Sequence, residues 1–241
     1  METIVEYEKK NNLQRLIEEY DTLLLWYTLI KETQFVEIYQ VFWAEKSRKL
    51  PRSKLTEMLG GPYLPWEEDP KDQNIHSRNT LFELEIAAKL KQAGTEITNF
   101  DDIDFAFREK TFNVQCKRVH SAKMIGADVE KAADQFSKRM RLKSKLKGII
   151  CFSIDKLTGK EHKILKVKNV QQIQPGMAEL TTNFIKVYHR LWHNFLNINI
   201  LAIYVFLQAV ATIDEEPPGL LTTCQQLDYR YYFSPRLFAT C

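Results

Sequence analysis

The 241-residue sequence predicts an α/β fold with a mixed central sheet, preceded by an N-terminal helical segment. Three observations carry this. Apolar residues recur at helical spacing through residues 4–48. From residue 79 the pattern switches and reads helix, three strands, helix, strand. The short run REK joins two alternating segments, DIDFAF and TFNVQCKRV, as an antiparallel hairpin. Composition agrees: 44% hydrophobic and 27% charged residues, with only 8 Gly and 8 Pro, exclude disordered, collagen-like and low-complexity chains.

The elements follow in order. Leu13, Leu16, Ile17, Tyr20, Leu23 and Leu24 form one helical stripe. Phe35, Val36, Tyr39, Phe42 and Trp43 form the next, with Thr33 as a candidate cap of a second helix. A shorter helix starts at Ser53. GGPYLPWEEDPKD, residues 60–72, reads as a linker or irregular loop. The division expected is a helical segment at 1–60, a linker at 61–78 and an α/β domain at 79–241. NTLFELEIAAKLKQAG is then one helix, with Asn79 or Thr80 as N-cap and Gly94 as the stop. TEITNF, DIDFAF and TFNVQCKRV are strands, the hairpin turning around Glu109-Lys110. Ile125, Val129, Ala132, Phe136 and Met140 mark a second long helix over 125–143. KGIICFSID suits a buried strand. TTNFIKVYHRLWHNF reads as a helix, and residues 198–213 and CQQLDYRYYF as strands. The stretch 198–213 is too short and too polar for a membrane span, which needs about 20 apolar residues; no membrane association is expected.

Charge is uneven. The net charge is +3, yet residues 76–170 hold 20 basic and 12 acidic side chains while residues 1–75 hold 10 and 14. The middle third is the candidate for a polyanion partner, with an ordinary solvated Lys-rich face as the plain alternative. The four cysteines, Cys116, Cys151, Cys224 and Cys241, form no CxxC pair, so neither a zinc site nor a disulfide framework is expected; free thiols suit a reducing cytoplasm. There is no Gly-rich phosphate loop. His189 and His193, four apart on a helix, lack the HExxH context of a metal site.

The chemistry centres on the hairpin. Gln115 and Lys117 share one strand face, and Val114 and Cys116 the other. A turn around Glu109-Lys110 sets Asp104 opposite Gln115, close enough for both to reach one cation. A solvated polar face with a salt bridge is the structural alternative. FELEIAAKLKQAG, DIDF and QCK, taken together over residues 79–154, resemble the PD-(D/E)XK nuclease superfamily, the restriction-endonuclease-like fold. The resemblance implies an α-β-β-β-α-β core and Mg²⁺-dependent hydrolysis of phosphodiester bonds in DNA, with Mn²⁺ as a substitute ion. It implies roles for Glu83, Asp104, Gln115 and Lys117: Asp104, Gln115 and the Cys116 backbone carbonyl as metal ligands, Glu83 on a metal-bound water or second ion, and Lys117 at the attacking water. Arg118, His120, Lys123, Lys138, Arg139 and Arg141 would touch phosphates.

Two departures stand out. Glutamine replaces the usual acid, which weakens metal binding, although Gln occurs here among active relatives. No Pro precedes the Asp, and Asp102 competes with Asp104 for its role. The family's habits imply a homodimer and a setting in prokaryotic or phage DNA processing or defence. Two rivals remain: a degraded nuclease fold that binds nucleic acid without cutting, and an interaction protein working through its aromatic N-terminal helices.

Overall fold

The structure, a computed structural model, describes residues 22–44, 52–61, 75–100, 103–143, 145–157, 164–196, 199–213 and 220–231. The first helical stripe of residues 13–20, most of the 60–72 loop and Asp102 lie outside the described residues. Helix α1 spans Thr22–Tyr39 and runs into a π-turn at Gln40–Ala44. Thr33 was expected to open a helix; it sits inside this continuous one, because apolar residues hold the same face on both sides of it. Helix α2 is Arg52–Leu59 and α3 is His76–Gln92.

Helix α3 starts before the expected caps. Asn79 and Thr80 lie inside it, and the residue at the cap position, Ile75, makes no side-chain cap bond. Tertiary contacts extend the helix: Ser77 Oγ donates to the carbonyls of Met58 and Gly60, so the first turn is anchored from α2. Its end is as expected. Gly94 adopts φ +84°, the left-handed conformation that glycine enters without a Cβ penalty.

Strands β1 (Glu96–Asn99), β2 (Ile103–Phe107) and β3 (Lys110–Arg118) form an antiparallel meander. The hairpin turn is Arg108-Glu109, both at positive φ (45° and 63°), one residue earlier than expected. Two such residues in succession match the right-handed twist of a two-residue hairpin. Helix α4 is Ile125–Leu142 and strand β4 is Lys147–Ser153, parallel to β3. A strand that the sequence pattern did not announce, β5 (Ile164–Val167), precedes helix α5 (Ile173–His193). Helix α5 begins well before the expected Thr181. Pro175 is tolerated because the first turn has no intrahelical acceptor for its missing N–H. Strands β6 (Ile200–Ile213) and β7 (Leu220–Tyr231) close the chain's described part.

The seven strands make one mixed sheet, ordered β1-β2-β3-β4-β6-β5, with β7 antiparallel along β6. One edge of β6 is shared in turn by β4 and β5. Each face carries its own core. One joins Ile38 and Phe42 near α1 and Met58 of α2 to Leu81, Phe82, Leu84 and Ala87 of α3, over Ile103, Phe105, Val114, Cys151 and Phe206. The other joins Val129, Ala132 and Phe136 of α4 to Met177, Ile185 and Trp192 of α5, over Ile150, Phe152, Ile203 and Val205. At Gly148 the fit is tight: a Cβ there would stand 2.9 Å from the Phe136 ring. Among the described residues no helix is long and apolar enough to cross a membrane.

Candidate functional site

Strand β3 divides its side chains between the two layers. Phe112, Val114 and Cys116 face α3. Asn113, Gln115 and Lys117 face α4, as does Asp104, which Asn113 contacts directly. The observed register pairs Asp104 with Asn113, not with Gln115 as expected, because the turn falls one residue earlier and shifts each pairing by two. Asn113 fills the gap. Its Nδ2 donates to Asp104 Oδ1 at 2.8 Å, and its Oδ1 accepts from Gln115 Nε2 at 2.7 Å. Asp104, Asn113 and Gln115 are all buried.

Helix α4 covers this row with a polar stripe. Asp128, Gln135 and Arg139, continued by Lys143 at the helix end, recur at i, i+7, i+11 and i+15, one face of a helix. Arg139 Nη2 and Lys143 Nζ donate to Asp104 Oδ2 at 2.9 and 3.0 Å. Lys117 Nζ donates to Gln135 Oε1 at 2.6 Å. Burial raises the Asp128 carboxyl above the ordinary range, opposed by the charges of Lys117 and Lys131. An acid half-buried near a lysine completes the row.

Glu83 is set apart from this group. It belongs to α3, in the opposite helical layer, and its carboxylate lies 3.8 Å from Lys54 of α2. Of the four expected side chains, Asp104, Gln115 and Lys117 share the α4-facing side of the sheet, Asp104 and Gln115 joined through Asn113 and Lys117 bonded to Gln135 instead. Cys116 stands between Gln115 and Lys117 in β3. Of the expected phosphate contacts, Lys123, Lys138 and Arg141 are exposed. Arg139 is half-buried against Asp104, and His120 Nδ1 accepts from Lys156 Nζ at 3.0 Å.

Arg118 departs most from expectation. Period-two alternation turns it away from Lys117, its side chain is 3% exposed, and Nη2 donates to Asp155 Oδ2 at 2.8 Å. It cannot serve as a surface phosphate contact. Asp155 also accepts from Ser153 Oγ at 2.6 Å. Burial would raise the Asp155 carboxyl; Arg118, Arg78 and the bonds from Ser153 and Arg118 outweigh it and hold it well below the usual carboxylate range. Nearby, Gln34 of α1 donates to Glu85 at 2.6 Å and to Gln208 at 2.8 Å. These side chains surround a cavity of about 20 Å³, the room of one water.

The donor atoms of the α4-facing row are those a hard dication takes: a carboxylate and amide oxygens. Their charge does not match it in this packing. Asp104 is the one carboxylate bonded within the row, and two cations already neutralise it. Among the described residues no three His, Cys, Asp or Glu side chains gather as a metal site would need. His189 and His193 are exposed on α5, His189 Nδ1 lying 2.7 Å from the Lys186 carbonyl of its own helix.

Compared with known protein families the chain matches none, and no curated protein sequence matches it.

Proposed function

We propose that the protein is a metal-dependent nuclease of the restriction-endonuclease-like type, acting on DNA. One observation supports this reading above the others: Asp104, Gln115 and Lys117 gather on one sheet face, under a helix whose last turns carry Lys138, Arg139 and Arg141. The element order, helix, three antiparallel strands, helix and a parallel strand, supports it too.

In this reading the exposed Lys123, Lys138 and Arg141 hold the phosphate backbone without reading bases. Lys117 points the attacking water at the phosphorus or takes its proton, and its charge offsets the negative charge that grows on the phosphate oxygens. Gln135 fixes the direction of the lysine. Asp104 and Gln115 are the groups that would hold Mg²⁺ or Mn²⁺, an ion that supplies Lewis acidity and lowers the pKa of water. Glu83 has no part in the row as folded. A homodimer, one protomer for each strand, goes with the same reading.

A second reading has its own support. The neutralised Asp104 and the distant layer of Glu83 suit a nuclease fold that binds nucleic acid without cutting it. Plasmid cleavage with Mg²⁺ and with Mn²⁺ decides between them. The nuclease reading expects metal-dependent nicking that falls at least about 10²-fold in Lys117→Ala, the contribution typical of a positioned proton-transfer group. Salt-sensitive DNA binding with no nicking in the wild type overturns it in favour of the binding module.

A further inference from the structure

The two faces of the sheet are filled to different degrees. On the α4 side the packing is close, with the Phe136 ring set against Gly148. On the α3 side, one residue along the same strand, Ile149 borders a cavity of about 290 Å³ among the described residues. Phe105, Val114 and Tyr204 join Ile149 on the sheet, and Ile86 and Leu90 of α3 stand over them. Val114 and Ile149 pair across β3 and β4, four residues before the Arg118–Ser153 pair, and the cavity shares no residue with the one beside Asp155. It is also on the face of β3 opposite to Asn113 and Gln115.

Protein interiors hold few voids larger than a water molecule, because apolar atoms facing a void forfeit their dispersion contacts. Water is a poor filling here, since it needs several polar partners. Three bordering residues have polar side chains: Lys89, Cys151 and Tyr204. Lys89 Nζ lies 3.8 Å from Glu37 and 3.8 Å from Glu85, so two carboxylates already answer its charge. Burial, and after it the negative charge of Glu85, pushes the Cys151 thiol up, so it stays protonated and packs as a small apolar group. An anion finds no unmatched cation among these lining residues. A nucleobase would bury more donors and acceptors than three side chains can satisfy. We propose that the cavity is a binding site for an uncharged apolar molecule, a fused aromatic pair or an alkyl chain of about ten carbon atoms, since benzene suits a cavity of roughly half this volume. The site is independent of the nuclease reading, and either can fail without the other.

The test is titration of the full chain with naphthalene, followed by calorimetry and by methyl NMR. Saturable binding is expected, with a dissociation constant at or below about 0.1 mM. The shifted methyls should be those of Ile86, Leu90, Val114 and Ile149. 2-Naphthoate, the same rings with a carboxylate, should bind at least about tenfold weaker, because its charge would be buried without a partner. Adenosine monophosphate should leave these methyls unmoved. Two variants locate the site. Ile149→Trp fills the cavity from the sheet, and Ala93→Phe crowds its exposed rim at the end of α3. Each should weaken naphthalene binding at least about tenfold, with thermal melts confirming that both fold. Naphthalene that fails to bind saturably, shifts methyls elsewhere, or keeps full affinity in both variants overturns the site. Tighter binding of 2-naphthoate or adenosine monophosphate at the same methyls overturns the uncharged apolar ligand.

Discussion

Lys117 and Arg118 are neighbours in β3, yet they serve opposite layers of the molecule. The Lys117 side opens toward a basic helix end; its row of Asp104, Asn113 and Gln115 is over-supplied with positive charge, and part of that charge reaches solvent. The Arg118 side is closed. Asp155 is matched by Arg118 and Arg78 and bonded by Ser153, and Glu85 is held by Gln34 with Lys89 3.8 Å away. Buried polar groups that satisfy one another hold elements in place, whereas a cluster with surplus charge at a rim has something left to give a partner. The first arrangement is structural, and the second is the side on which the proposed nuclease reading rests.

The largest expected effect breaks the closed side. Arg118→Ala leaves Asp155, whose side chain is 15% exposed, without its nearest cation and costs up to about 3–5 kcal/mol. Urea unfolding should show this as a lowered midpoint. Lys117→Ala, one residue away, should leave that midpoint nearly unchanged, and equal losses from the two would erase the distinction between the faces. Gly148→Ala tests the packing of α4 over the open side. Its new methyl meets the buried Phe136 ring, and overpacking of this kind costs about 1–3 kcal/mol. Thermal melts measure it.

Acid probes the closed side without mutation. Asp155 has a depressed carboxyl in the fold, so its stabilisation is complete above the unfolded value of about 3.9 and is lost as pH falls below that toward the lower folded value. Stability measured between pH 5 and pH 2 should fall less steeply in Asp155→Asn than in the wild type. Smallest in energy, Lys138→Ala and Arg141→Ala should each weaken DNA binding alike across sequences and reduce the salt slope by about 1. A change in sequence preference would place these residues at bases instead.

Much of the fold was legible because its periods are long and clean. The α3 stripe, the β2–β3 alternation and the α4 stripe all appear where spacing puts them. The register of the hairpin was less so. Nothing in REKT marks which pair takes positive φ, since neither Arg nor Glu favours it as Gly or Asn does. An error of one residue in the turn moved Asp104 two places along β3, from Gln115 to Asn113. Asn113 itself was within reach: it lies two residues before Gln115 on the same face. Parity would also have removed Arg118 from the phosphate contacts, since 118 follows 114 and 116 rather than 115 and 117. Asp128 and Lys143 could have been found from helical spacing around Gln135 and Arg139. The cationic partners of Asp155, Arg78 and Arg118, by contrast, come from α3 and β3, far apart in sequence, and no local pattern announces them. Strand β5 is only Ile164–Val167, too brief for alternation to register.

Gln34 ties α1 simultaneously to Glu85 of α3 and to Gln208 of β6, spanning separations of 51 and 174 residues. A protein trimmed to begin at residue 75 would lose that bridge along with Ile38, Phe42 and Met58, and would uncover the apolar residues of α3 that pack against them. The smallest autonomous unit is thus longer than the motif-bearing stretch, and truncation should yield aggregates rather than an active fragment.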